Sequence, residues 1–399
     1  MVAFDASRTS NLPMSSSPSP QTVPHRPSTA VLHGCLLLAG FATALLGPIL
    51  PLLSARWHMS DQQSGLLLLS QFCGATTGGL TVSRHLHRSL ALGLAAAAFG
   101  FTAFAAAPGL SLACVALFIA GWGCGQLITG SNITAGRRYS AHRGSALALL
   151  NFSFSLGAML SPLLAAWLTP RFALRNLLVG FAACFAIVLA RLLIEIRTPA
   201  SEQPAVAITN ESALPLRIYL YFALLLFLYG GVETSLDGWL TTYALRYGDR
   251  TLAIGQYTTL VLWASLTAGR ALSSLLLLRI SEATLQRIGL ILTSACIAAL
   301  ALTHGALAIA VLACCLGLSL SPFFPSTFAL LMSEKPSARQ AGVVLAVSGL
   351  GAAFLPSLMG VISTHSGSLQ IALVIPLAAA VTLLALSIFS PSSSRQTAA

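Results

Sequence analysis

Charge is what this sequence has least of: 8% of its 399 residues are Asp, Glu, Lys or Arg, about a third of the share in a soluble chain. Lysine is nearly missing, since Lys335 is the single one. Acids number ten against 21 basic residues, and 56% of the chain is hydrophobic. That balance excludes a soluble globular domain and implies a polytopic membrane protein, long enough for roughly a dozen helices of ~20 residues. The net charge of +11 does not indicate nucleic acid, because the basic residues are scattered over loops rather than gathered on one face. Other absences exclude further classes. There is no GxxxxGK[ST] phosphate loop for direct ATP drive, and the apolar spans hold no HExxH or GxSxG. The eight cysteines (Cys35, Cys73, Cys114, Cys124, Cys184, Cys296, Cys314, Cys315) all sit in apolar stretches without metal-ligand spacing, so they read as small buried apolar groups. No metal and no cofactor is expected.

What is present is a series of apolar runs. Twelve spans can be drawn, at roughly 31–54, 63–84, 89–108, 111–135, 144–168, 174–195, 217–245, 253–277, 284–304, 306–332, 340–365 and 369–390. One connection, 196–216, is long, polar and marked by Pro199, Pro204 and Pro215. It divides the spans six and six. The expected fold is therefore an all-α membrane protein of twelve transmembrane helices in two pseudo-symmetric six-helix bundles. The expected parts are a disordered Ser/Pro-rich tail at 1–29, a first bundle at 30–196, a cytoplasmic linker at 197–216, a second bundle at 217–390 and a short tail at 391–399. Residues 1–29 lack the charged, apolar and small-residue regions of a signal peptide. With the N-terminus in the cytoplasm, sixteen of the 21 basic residues fall on inner loops. The other five, Arg56, Arg171, Arg175, Arg246 and Arg250, fall on outer ones, so both termini are expected inside.

The seventh span carries the rarest feature, Tyr229-Gly-Gly-Val-Glu-Thr-Ser-Leu-Asp-Gly-Trp239. Glu233 and Asp237 are four residues apart and share a helical face. No other span has an acid near its middle, and acids at that depth are costly enough to be read as functional. They are the expected proton-coupling pair, with Asp237 ~6 Å nearer the outer side at ~1.5 Å per residue. Each has a bland alternative: a carboxylate hydrogen-bonded between helices for Glu233, and one facing outer water for Asp237. The Gly230-Gly231 pair is expected to weaken the helix there.

Several stretches resemble the major facilitator superfamily. Gly269-Arg270-Ala-Leu-Ser-Ser-Leu-Leu-Leu-Leu-Arg279, ending span 8, looks like that family's Gly/Arg-rich inner-loop motif. The first-half copy around Gly78-Gly79, Arg84 and Arg88 lacks the usual Asp. Gly157-Ala-Met-Leu-Ser161-Pro162 in span 5 is similar to an antiporter element. Ser321-Pro322-Phe-Phe-Pro325-Ser-Thr in span 10 and Gly121-Trp-Gly-Cys-Gly-Gln126 through Asn132 in span 4 resemble the sugar-transporting branch related to the fucose:proton symporter. Gln126 stands where that symporter has its proton-carrying Glu, Asn132 is displaced by two, and span 1 has Thr43 and His33 but no Asp.

The resemblance implies alternating access by a secondary transporter of a small polar organic solute, a sugar among the candidates, with protons as the coupling ion. The substrate-binding candidates near half depth are Thr43, Gln71, Gln126, Asn132, Asn151, Trp239, Tyr257, Trp263 and Ser319. Amides, hydroxyls and rings suit a hydroxylated solute. Structural readings stand beside them: helix–helix hydrogen bonds for the amides and an interfacial belt for Trp239. Arg84, Arg88, Gly269, Arg270 and Arg279 are the inner-loop gating candidates, and Pro322 and Pro325 are expected to bend span 10. Proton-driven efflux of amphipathic drugs is the alternative function. An intramembrane enzyme is disfavoured, because aspartyl chemistry takes its two acids from facing elements. A monomer in a bacterial inner membrane, without nucleic-acid partners, completes the expectation.

Overall fold

The computed structural model describes residues 27–83, 85–139, 143–197, 214–248, 253–276, 279–334, 336 and 338–388. The expected tails and most of the linker lie outside the described residues. Fourteen α-helices follow one another: α1 (Thr29–Trp57), α2 (Asp61–Leu80), α3 (Leu86–Ala106), α4 (Leu110–Arg138), α5 (Arg143–Leu168), α6 (Leu174–Arg197), α7 (Leu216–Tyr247), α8 (Thr258–Leu276), α9 (Glu282–Leu302), α10 (Ala306–Leu320), α11 (Phe323–Ser333), α12 (Ala338–Ser366), α13 (Leu369–Ala372) and α14 (Val374–Ile388). A 3₁₀ turn at Ala253–Tyr257 leads into α8. The tenth crossing is α10 plus α11, interrupted at Ser321-Pro322, and the twelfth is α13 plus α14. Span 10, expected to bend at Pro322 and Pro325, is interrupted at Pro322, whereas Pro325 lies in the first turn of α11.

Ten stretches are long and apolar enough to cross a membrane. The two crossings outside that set are α2 and α8, both of which face the opposite half. Local signals set the boundaries. Ser60 and Gln63 form a reciprocal capping box at the start of α2 (Gln63 N–H to Ser60 Oγ 3.2 Å; Ser60 N–H to Gln63 Oε1 2.9 Å), satisfying donors the helix itself leaves free. Ser281 caps α9 in the same sense through Thr284 N–H. His58 ends α1 in the left-handed region at φ 49°.

Glycine lets the helices approach until their backbones touch. A Cβ at Gly74 or Gly78 of α2 would lie 2.1 or 2.0 Å from the Phe118 or Trp122 carbonyl oxygen of α4. A Cβ at Gly121 or Gly125 of α4 would lie 1.9 or 2.0 Å from the Gln71 or Ala75 carbonyl oxygen of α2. Two small-xxx-small stripes thus interlock, which is how helices pack where no hydrophobic force separates them from lipid. The second half repeats the scheme: α8 packs on α10 as α2 packs on α4, and α7 on α12 as α1 on α5. Gly157, the head of the antiporter-like element, belongs to the α1–α5 contact, since a Cβ there would meet the Leu37 carbonyl oxygen at 1.9 Å.

The expected weakness at Gly230-Gly231 is not found. The helix α7 runs unbroken from Leu216 to Tyr247, and the two glycines instead admit α12. A Cβ at Gly230 would meet the Ser348 carbonyl oxygen at 2.5 Å, and one at Gly231 would meet Leu355 Cδ2 at 2.4 Å. Close packing supplies what the residues cost in helix propensity.

The halves meet along α1–α7, α2–α12 and α5–α8. At the end of the bundle opposite the N-terminus of α1, they are tied together. Arg246, in the last turn of α7, holds Asp61 at the start of α2 with both guanidinium nitrogens, one at 2.6 Å. The Ser363 hydroxyl of α12 donates to the same carboxylate, and the Gln62 N–H donates to Thr364 Oγ1 at 2.8 Å. Neither Asp61 nor Arg246 stands out in the sequence, because each ends an apolar run where a charge is ordinary.

Candidate functional site

The two acids of α7 both turn toward α8 but take different partners there. Asp237 Oδ1 accepts the Trp263 indole N–H at 2.6 Å. Glu233 Oε1 accepts the Tyr229 hydroxyl at 3.1 Å and faces Arg270 Nη2 at 3.3 Å. Trp263 and Arg270 are seven residues apart, two turns of α8, so they fall on one face, each opposite one of the two acids that stand one turn apart on α7. Asp237 is 2% exposed, so the alternative that it faces outer water is not met. Glu233 and Arg270 keep 20% and 22% of their side chains accessible.

Both halves of the protein close over this ladder. The Ser155 hydroxyl of α5 accepts from Arg270 Nη1. The ring of Phe154, its neighbour, lies edge-on to Trp263 at 6.5 Å between centroids. Phe323, at the start of α11, stacks on Tyr229 at 5.1 Å. The Asp237 carbonyl oxygen lies against Gly47 of α1, 2.3 Å from where a Cβ would be. The acids therefore stand at the seam between the halves. Arg270 Nε is buried without a hydrogen-bond partner, a donor left over on a charged group.

Arg270 is what sequence reasoning misplaced. The inner-loop resemblance draws Gly269 and Arg270 toward the turn after span 8, yet both lie inside α8, which continues to Leu276. The signal that finds Arg270 is its own burial cost: a cation within a span needs a carboxylate, and span 7 offers the acids at that depth. Gly269 brings α8 against α10, where a Cβ would meet Ser321 Oγ at 2.4 Å. Arg88 and Arg279 are exposed at the α3 start and beyond the α8 end. Arg84 lies outside the described residues.

The remaining candidates are not gathered into this site. Gln71 donates to the Ala42 carbonyl at 2.8 Å and so ties α2 to α1. Gln126 donates to Thr81 Oγ1 at 3.0 Å, tying α4 to the end of α2. Thr43, Asn132 and Asn151 each bond the carbonyl four residues back, on Ala39, Ile128 and Leu147. Asn151 is one turn from Ser155 on α5 and shares its face. Ser319 pairs with Thr293 of α9 at 2.8 Å. Trp239 is not in an interfacial belt: it is 2% exposed and donates to the Pro356 carbonyl at 2.9 Å. It also lines a cavity of about 10 Å³ with Tyr243, Leu300 and Met359, space for a water and no more. Tyr257 closes the 3₁₀ turn before α8. His33 meets Ser153 Oγ at 2.7 Å within the first half, in keeping with a structural role. Among the described residues no cluster of three metal-ligating side chains occurs.

Comparison with known proteins adds the family. Two solved structures resemble the whole fold: a Major Facilitator Superfamily transporter, FucP, in the outward conformation, and a variant of the E. coli Fucose:proton symporter FucP. The first gives a TM-score of 0.62 at 18% identity, the second 0.61 at 19%, each covering 90% of this chain and 98% of the other. No curated protein sequence matches significantly. The family model described as Major Facilitator Superfamily matches residues 32–347, most of the chain, and with the paired six-helix halves it leads to one conclusion: the chain belongs to the major facilitator superfamily.

Proposed function

We propose that this transporter moves a small polar organic solute by alternating access, coupled to protons through Glu233. The observation that carries the reading is the Glu233–Arg270 pair, about one-fifth accessible at the seam where α5 of one half meets α7 and α8 of the other. Both hydrogen bonds to Glu233 fall on Oε1, which leaves Oε2 to receive a proton. Protonation removes the charge that holds Arg270, so the pair has two states that a change of access can select. Asp237, fixed by Trp263, positions the indole as one wall. Ser155 supplies a polar group from the first half, and Tyr229 and Trp263 supply ring faces.

In the proposed orientation both termini face the cytoplasm, as the arginine distribution requires. The Asp61–Arg246 tie then closes the outer side. The source membrane is proposed to be a bacterial inner membrane and the working unit a monomer. The similar structure is that of a fucose:proton symporter, which supports sugar-like solutes over amphipathic drugs. The antiporter-like element that favoured efflux is accounted for by the α1–α5 contact at Gly157.

The test uses purified protein in liposomes loaded with a pH-sensitive dye, with sugars and sugar acids added outside at acid pH. The wild-type protein acidifies the lumen when its solute is added. Glu233→Gln stops that signal and abolishes accumulation while exchange across the bilayer persists. A Glu233→Gln protein that still concentrates its solute against a gradient refutes proton carriage by this residue.

A further inference from the structure

The same pair carries a statement about the charge of the cargo, which rests on the proton reading above. We infer that the solute is an organic anion whose carboxylate replaces Glu233 on the Arg270 guanidinium once Glu233 is protonated.

Arg270 presents an incompletely used guanidinium. A guanidinium is a planar fork suited to two parallel bonds to one carboxylate. Here the fork is not filled. Glu233 touches it through one oxygen at 3.3 Å, longer than the roughly 2.7–2.9 Å of a good charge-assisted bond. Nη1 goes to a neutral hydroxyl, Ser155, and Nε has no partner at all. A resident structural pair buried in a membrane has every reason to be bidentate, since an incompletely paired buried charge is costly. This one is held in reserve, with donors left over on a cation that is 22% accessible.

The groups facing Glu233 are Tyr229 and Asp237 of its own helix and Arg270 of α8. Around them α5 brings Ser155 and Phe154, α11 brings Phe323, α1 brings the Gly47 backbone and α12 brings Ser348 against Gly230. Asp237 is engaged by an indole and does not contact Arg270. When Glu233 takes a proton, the carboxylate that contacts Arg270 is lost, and an isolated cation at this depth is costly. A carboxylate on the solute restores the balance with two bonds instead of one. A neutral polyol does not. Binding of the proton and binding of the anion therefore favour one another. By reciprocity each strengthens the other by the same factor. One proton enters with one negative charge, so the loaded site carries the charge it had when empty, and transport of a monoanion is electroneutral.

The test is a thermal-shift titration of the purified full-length protein at pH 5.5 and pH 7.5. The probes are D-glucuronate, D-gluconate and lactate, set against D-glucose, L-fucose and sorbitol. Ligands that bind the folded state raise Tm. Carboxylates are expected to stabilise the wild type at the lower pH, with affinity falling by up to tenfold per pH unit as one linked proton is withdrawn. Glu233→Gln, which mimics the protonated acid, is expected to bind the same carboxylates equally at both pH values. The E233Q/R270Q double variant, neutral at both positions and so free of a stranded charge, is expected to fold and to bind none of them. If no carboxylate protects either the wild type or Glu233→Gln, the inference is overturned. If a neutral solute protects and its uphill transport still needs Glu233, the anion assignment falls and the proton reading stands. Uphill transport by Glu233→Gln removes the proton reading itself.

Discussion

Replacing Asp61 by Asn tests whether the Arg246 contact is a gate or merely a surface ion pair. Asn keeps the size and one acceptor oxygen but loses the charge and the bidentate geometry. In the wild type both guanidinium nitrogens reach the carboxylate, and Ser363 donates to it as well. Charge-assisted bonds of this kind contribute about 1.5–3 kcal/mol when sheltered, whereas fully exposed pairs contribute about 0–1 kcal/mol. The Asp61 side chain is 10% exposed and that of Arg246 40%, so the loss falls between these limits, about 1–2 kcal/mol. Because the contact joins the two halves, that energy belongs to the closed state alone and leaves each half intact. It corresponds to a roughly 5- to 30-fold shift toward the open form. The assay is a pulsed electron paramagnetic resonance distance between spin labels at Phe172, in the α5–α6 turn, and Leu302, at the end of α9, both exposed. The labels are placed in a background where the free native cysteines are Ala. The Asp61→Asn distribution is expected to gain a longer distance, and a charge-swapped pair, Asp61→Arg with Arg246→Asp, is expected to recover much of the short one. An unchanged distribution accompanied by a lower melting temperature would refute the reasoning, because it would place the energy inside a half instead of between halves.

Two further substitutions test the contacts around Asp237. Gly47→Ala puts a methyl group 2.3 Å from the Asp237 carbonyl oxygen, so α1 and α7 cannot come together; the same spin-label pair should show the closed distance depleted while the melting temperature changes little. Trp263→Phe removes the indole N–H and leaves the Asp237 carboxyl buried without that donor, a loss of about 1–3 kcal/mol; thermal unfolding should shift down, and Trp263→Phe combined with Asp237→Asn should recover part of the shift.

The division into six and six crossings, the depth of Glu233 and the interruption of span 10 were all legible, because each depends on composition along one segment. Glu233 announces itself by being a carboxylate in the middle of an apolar span. What was not legible depends on which helices touch. Gly230 and Gly231 read as a breaker in isolation, yet α12 needs the room they leave, so α7 stays straight. Trp239 reads as a belt residue from its position in the span, but its N–H finds Pro356 across the α7–α12 contact. The polar residues at half depth look alike in one dimension. Asn132, Asn151 and Thr43 bond their own helix one turn back, whereas Gln71, Gln126 and Ser319 fasten neighbouring helices. Arg270 was drawn away from its partner by a motif that ends nearby. The rule that would have paired it is electrostatic: a cation inside a span requires an anion at equal depth, and few acids qualify.

The two halves repeat one packing scheme, α1–α5 answering α7–α12 and α2–α4 answering α8–α10, yet the buried acids at half depth occur in the second repeat alone. Symmetric architecture thus houses a lopsided chemistry. On the proposed mechanism one lobe senses, and its twin serves as the anvil, offering a hydroxyl, a ring and a smooth glycine-lined face. Mutational sensitivity should be unequal in the same way: changes of shape disabling the first lobe, changes of charge the second.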